Sequence, residues 1–281
     1  MSAESITLPP RELGVTSTPH VADSPSALGS GISHSLLAIA EGSLVWAALI
    51  AAWLIAAEYF PLGDNPLIPS PQITLAALWE SLPELWTGTV SSFSILIPGF
   101  LIATVLGVVF GISVGAAPRL QRIFFPFARV AAPVPPTVYI PYAIAVLPTF
   151  QWSAIFVVFI GAFWPIFHNA ATGAHALEAR YRDNARILGL KGLEYHVKVV
   201  FPAALPHIFS GMAVGLGFSF ILLTVAELFG ANAGLGRFVQ YYADFADYPK
   251  MVAGILYTGL VTFLAMTLLE RLKHHTLFWM R

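Results

Sequence analysis

Residues 94–117 read SILIPGFLIATVLGVVFGISVGAA, with no charged side chain anywhere in the run. About 20 apolar residues at roughly 1.5 Å rise each carry a helix across a bilayer core. Working outward from this stretch, the same length and composition recur at about 43–60, 92–117, 124–147, 153–174, 207–230 and 250–270, which predicts six spans. The third of these is broken by Pro126, Pro133, Pro135, Pro136 and Pro141. Proline removes a backbone donor, so a kinked or late-starting helix is expected there. Irregular backbone at membrane depth is tolerated only inside protein or beside a cavity, which places this segment within the bundle next to a pathway.

The composition agrees. Of 281 residues, 57% are hydrophobic and 10% are charged, against roughly 45–50% and 25% in soluble domains. A mean hydropathy of +0.75 leaves too little charge to cover a soluble surface. The net charge of -1 excludes a dedicated nucleic-acid binder, which carries a basic surplus. With no cysteine, disulfides, zinc–thiolate centres and a cysteine nucleophile are excluded. Residues 1–40 are rich in Ser, Pro, Gly and Thr without a sustained apolar period, and are read as a disordered cytoplasmic tail preceding a membrane domain over 41–281. No basic start followed by a short apolar core marks them as a signal peptide.

Lys and Arg set the orientation. Arg11, the group Arg119, Arg122 and Arg129, the group Arg180, Arg182, Arg186, Lys191 and Lys198, and the group Arg271, Lys273 and Arg281 all fall on one side, leaving only Arg237 and Lys250 for the other. The first side is therefore cytoplasmic, with both termini on it. On the outer side, 61–91 is expected to be an irregular proline-rich loop. It would carry a short interfacial helix, TLAALWESLPELW, anchored by Trp79 and Trp86, with Pro83 arguing against one continuous helix. Residues 231–249 form a second outer segment. Trp46, Trp152 and Trp279 sit near span ends, as interface anchors do.

No phosphate-binding G-x-x-x-x-G-K-[ST], H-E-x-x-H or G-x-S-x-G motif occurs, and the eight histidines are scattered. No cofactor, metal or catalytic residue is therefore expected, and any work the chain does draws on a partner or an ion gradient. Gly107, Gly111 and Gly115, like Gly211 and Gly215, are spaced by four; such stripes serve either a dimer seam or packing within the chain. Glu227 lies near the outer end of the fifth span, where it either gates an outer mouth, partly hydrated, or hydrogen-bonds backbone around ANAGLG. His168, nearer the cytoplasm in the fourth span, is expected to be a satisfied interior histidine. Thr137, Tyr139 and Ser219 are possible pathway residues, although interhelical hydrogen bonding accounts for each as well.

The most informative stretch is the cytoplasmic connection 175–206, HALEARYRDNARILGLKGLEYHVKVVFPAALP. Connections in compact bundles usually run about 2–8 residues. This one is far longer and has helical periodicity: Leu177, Tyr181, Ala185 and Leu188 fall on one face, then Leu193, Val197 and Val200 on another. Gly189 and Gly192 bracket a break, so two short helices meeting at a turn are expected, with Pro202 and Pro206 opening the fifth span. A basic, half-apolar unit of this kind either docks a protein or lies on anionic lipid.

The same stretch resembles the cytoplasmic loop of ABC importer permeases, E-A-A, three residues, G, nine residues, I-x-L-P. Asp183, Asn184 and Ala185 take the first three places, Gly189 follows Arg186–Leu188, and 190–198 lead to Val199, Val200, Phe201 and Pro202. The spacing is kept throughout, with Asp for Glu, Asn for Ala, Val for Ile and Phe for Leu. The continuation is similar to the nitrate, sulfonate, taurine and bicarbonate branch: Pro202 to Pro206 as P-x-x-L-P, a span ending in Ala226-Glu227, and then Gly234-Leu235-Gly236. VPPTVYIP in the third segment also fits that branch, while VLPTFQW at 146–152 departs from its usual aromatic-Phe-Gly turn.

The resemblance covers about 70–275. It implies an all-α polytopic bundle of the type I importer permease kind that moves a small anion or organic acid. The loop, through Asp183, Asn184, Ala185, Gly189, Val199, Phe201 and Pro202, would engage cytoplasmic ATPase subunits. A second permease copy, an external solute-binding protein and membrane lipid complete the implied partners. A stand-alone secondary transporter is the alternative; that class shows internal repeats, and none is evident here.

Overall fold

The computed structural model describes residues 47–57 and 67–278. The expected tail 1–40 and the anchors Trp46 and Trp279 lie outside the described residues. The described residues from 53 to 278 group as one compact unit, and the account below concerns it. The described residues form helices α1 (Ala47–Ala57), α2 (Pro71–Ala116), α3 (Pro118–Ala131), a 3₁₀ turn (Pro136–Tyr139) leading into α4 (Ile140–Val146), α5 (Phe150–His175), α6 (Ala179–Ile187), α7 (Gly192–Tyr195), a π turn (His196–Val200), α8 (Phe201–Gly230), α9 (Leu235–Asp244) and α10 (Tyr248–Thr276). No strand occurs among the described residues.

Four helical runs are long and apolar enough to cross a membrane: Pro71–Ala116, Phe150–His175, Gly192–Gly230 and Tyr248–Thr276. The expected third span is a broken one, with Pro118–Ala131 and Pro136–Val146 meeting at 78°. Pro133, Pro135 and Pro136 cluster at that bend and deny it the donors that a continuous helix needs. Among the described residues, four of the six expected spans stand, the third is bent as its prolines predict, and the described part of the first is the short α1.

The outer loop expected over 61–91 is corrected from residue 71 onward. The predicted interfacial helix and the second span are one helix of 46 residues, with Pro83 and Pro98 inside it. Pro83 removes only the bond to the Trp79 carbonyl, and Trp79 is 79% exposed, so that carbonyl lies on an open face. The start is well made: Ser70 caps it, accepting from the Ile73 amide, and Pro71 stands at the first helical position.

α5 is the central helix, packed between α2 and α8. Ala154, Val157, Val158, Ala162, Ile166 and Ala170 are all buried on it. Lipid tails are as apolar as leucine, so close approach and van der Waals contact must hold these helices together. The glycine stripes supply that closeness within the chain. A Cβ on Gly111 would stand 2.7 Å from the Phe167 carbonyl oxygen, and one on Gly115 would run into the Ala171 backbone. A Cβ on Gly211 would stand 3.0 Å from the Pro165 carbonyl oxygen, and one on Gly215 3.2 Å from that of Ala162. Of the two readings of these stripes, intrachain packing is the one formed. α10 is peripheral, with only 17% of its apolar window buried, so most of its apolar surface faces outward.

The candidate coupling loop and the Glu227 fastener

The connection after α5 folds as expected into two short helices at a turn. α6 ends in a Schellman motif: the Leu190 amide donates to the Ala185 carbonyl (2.9 Å) and the Gly189 amide to the Arg186 carbonyl (3.1 Å). Gly189 is the left-handed residue that makes this possible, at φ 70°. The Ala185-to-Gly189 spacing therefore has a local cause: Ala185 supplies the carbonyl that closes the motif, and glycine must follow four residues later. Gly192, at φ 55°, opens the second helix. No atom lies within 4 Å of a Cβ built on Gly189, so the constraint there is backbone conformation rather than space.

The second half enters α8 through the π turn, in which the Phe201 amide donates to the His196 carbonyl. Pro202 follows directly; having no N–H, it leaves a gap in the ladder where the wider register is accommodated. Val200 is buried, Val199 and Pro202 are half-buried and Phe201 is exposed. Leu177 and Ala185 are buried on the expected face, but Tyr181 and Leu188, expected there too, are exposed, Leu188 to 73%. Ile187 and Leu193 are bare as well. Asp183 pairs with Arg186 at 3.3 Å on the surface. Beneath the turn lies a hollow of about 620 Å³ whose walls include Asn184, Ala185, Val199 and Pro202. Four of the seven expected loop residues are thereby brought around one concavity.

At the opposite end, Glu227 is 0% exposed, not partly hydrated as expected. Its Oε1 accepts from the Ser92 hydroxyl (2.5 Å) and its Oε2 from the Gly236 amide (2.6 Å). The Ser92 oxygen in turn accepts from the Leu235 amide at 2.9 Å. The first-turn amides of α9, which a helix cannot satisfy internally, are thus met by side chains from α2 and α8. A carboxylate at a helix N-terminus is also favoured by the macrodipole.

This geometry explains the Ala226-Glu227 and Gly234-Leu235-Gly236 pattern. A Cβ on Gly234 would stand 2.5 Å from Oε1, and one on Gly236 would stand 2.6 Å from the Thr224 carbonyl oxygen. Leu235 is buried between them and packs with Leu85 and Phe238. Sequence reading singled out Glu227 but missed Ser92, 135 residues away, for which no local signal exists. Nearby, the half-buried Tyr242 donates to Glu84 Oε2 (2.9 Å). Burial first, then the Glu84 carboxylate, pushes the Tyr242 phenol up to about 12. A cavity of about 350 Å³ opens beside α9, lined by residues that include Thr87, Asn232 and Arg237.

Thr137 and Tyr139 lie half-buried on the 3₁₀ turn, which packs on α5 and α8. Ser219 is buried, and its hydroxyl donates to the Gly215 carbonyl of its own helix (2.8 Å). His168 is exposed, contrary to the expectation of a satisfied interior histidine.

Residues 74–276 match the family described as the binding-protein-dependent transport system inner membrane component. The nitrate import permease protein NrtB of Synechocystis is 29% identical over 226 residues, covering 76% of this chain and 82% of that one. The bicarbonate transport system permease protein CmpB of Synechococcus elongatus is 32% identical over 180 residues, 63% of this chain and 64% of its own length. The taurine transport system permease protein TauC of Escherichia coli is 27% identical over 239 residues, 83% and 87% respectively. The match spans α2 to α10, including both the loop 175–206 and the Glu227 fastener, and the chain therefore belongs to the binding-protein-dependent transport system inner membrane components, multi-pass permease subunits of ABC importers that work with a separate ATPase and a binding protein.

Proposed function

We propose that this chain imports a small oxyanion or organic acid of the nitrate, bicarbonate, sulfonate or taurine kind, as one of two permease copies forming a common path. The observation that carries the reading is the family match over most of the chain, with relatives named for such solutes. The positive-inside rule puts the 175–206 connection, and both termini, in the cytoplasm. There Asp183, Asn184, Ala185, Gly189, Val199, Phe201 and Pro202 form the coupling surface for the ATPase. Support comes from the bare Ile187, Leu188 and Leu193 at the helix–turn–helix tip, which expose apolar area that a partner would cover.

Thr137 and Tyr139, on the broken third segment, are the proposed pathway residues. Ser219 on α8 is proposed as a third pathway residue. Glu227 acts at the outer mouth by holding α9, the face offered to the binding protein. Of its two readings, the hydrogen-bonding one has direct geometric support.

Reconstitution of the permease with its ATPase and binding protein in proteoliposomes tests this. ATP-dependent uptake of nitrate, bicarbonate or taurine, strictly requiring the binding protein, is expected. Gradient-driven uptake by the permease alone would overturn the reading in favour of a secondary transporter.

A further inference from the structure

We infer that the groove between α3 and the C-terminal half of α5 is a binding site for an oxyanion carrying an apolar group. A cavity of about 480 Å³ lies there, lined among others by Arg129, Trp164, Phe167, His168, Thr172 and His175. His168, Thr172 and His175 recur at three- and four-residue intervals, so they share one face of α5. All three are exposed, and Arg129 on α3 has neither an ion pair nor a hydrogen-bond partner among the described residues.

The site's chemistry is one-sided. From Leu85 to Leu177 the sequence holds no Asp or Glu, so neither α3 nor α5 brings a carboxylate to this cavity. The Gln121 amide nitrogen fixes one ring. It donates to the Gly115 carbonyl (2.6 Å) and stands 3.0 Å from His175 Nδ1. An amide nitrogen only donates, so Nδ1 is the acceptor and Nε2 carries the ring proton as a donor. Arg129 supplies a permanent charge with a planar donor fork suited to oxyanions. Thr172 adds a hydroxyl.

The aromatic wall decides what else the ligand carries. Trp164 and Phe167 pack edge-to-face at 6.0 Å, and Phe125 lines the same cavity. This surface, in a space far larger than a bare inorganic ion, suits an attached hydrocarbon. Two sources offer that chemistry: the phosphate and glycerol–acyl region of an anionic lipid, and a free organic anion such as an alkyl sulfonate. The assignment does not rest on the transport reading.

The test uses the full permease–ATPase complex in nanodiscs. In phosphatidylcholine discs, binding of radiolabelled ethanesulfonate is measured by equilibrium dialysis. In discs doped with phosphatidylglycerol, retained lipid is counted by native mass spectrometry. Arg129→Gln should weaken binding about tenfold or more, the scale of one charge-assisted hydrogen bond. Arg119→Gln, which removes a cation from the same helix outside the cavity, should leave it unchanged. His168→Gln and Thr172→Val, at exposed positions, should each give a smaller fall and keep the test open if Arg129→Gln does not assemble. Loss confined to the lipid arm assigns the site to lipid, and loss confined to the sulfonate arm assigns it to a soluble anion. Failure of both probes to bind saturably, or an equal loss in the Arg119 variant, would overturn the assignment.

Discussion

Replacing Glu227 with leucine probes the fastener between α2, α8 and α9 most directly. The carboxylate accepts from the Ser92 hydroxyl at 2.5 Å and the Gly236 amide at 2.6 Å in a fully buried setting. Leucine leaves both donors without an acceptor, at about 1–3 kcal/mol each, so a loss of about 2–6 kcal/mol is expected. Release of a desolvated charge offsets part of this, which places the outcome toward the lower half. That corresponds to a fall in Tm on the order of 10 °C. Glutamine keeps one carbonyl acceptor and should cost about 1–2 kcal/mol, the difference between a charge-assisted bond and a neutral one. Thermal unfolding of the purified protein gives the global number, and hydrogen exchange at residues 235–237 shows whether α9 frays. Ser92→Ala should be non-additive with Glu227→Leu, because the two share one network. A leucine variant that melts with the wild type and keeps those amides protected would refute the fastener. ATPase stimulation by the binding protein, measured in the glutamine variant, separates the remaining role: normal stimulation would show that the charge itself does not gate the mouth.

Gly189→Ala has open space around it but must hold φ near 70°, which costs about 1–2 kcal/mol; reduced co-purification of the ATPase and lower transport are expected, with membrane insertion unchanged. Gly189→Trp should do the same more strongly by standing the tip away from its partner. Gly111→Leu forces a side chain against the Phe167 backbone and should cost about 1–3 kcal/mol or more, read as loss of folded protein in detergent gel filtration, whereas Gly259→Leu, where nothing lies within 4 Å, should express normally. Tyr242→Phe removes the bond to Glu84 and should lower stability by about 0.5–1.5 kcal/mol in a thermal melt.

Much of this protein is legible residue by residue. Hydropathy over about 20 residues is a local property, so the fourth, fifth and sixth spans appear in the sequence close to where α5, α8 and α10 lie. The coupling turn is equally local: a Schellman motif needs only Ala185 to Leu190 in order, and Gly189 marks it in the sequence. Other features depend on what each segment meets. Pro83 reads as a breaker, yet α2 runs through it because the carbonyl it leaves free lies on an exposed face. The glycine stripes carry no sign of which surface they serve until α5 lies against them. Ser92 is one serine among several in its segment, and only folding brings it to Glu227 and the start of α9. Arg129 on α3 and His168 on α5 likewise line one cavity only because folding brings two separate, acid-free segments together. Sequence alone determines what each segment can do with its own neighbours; packing decides which distant donor and acceptor share a site, because those contacts have no short-range signature.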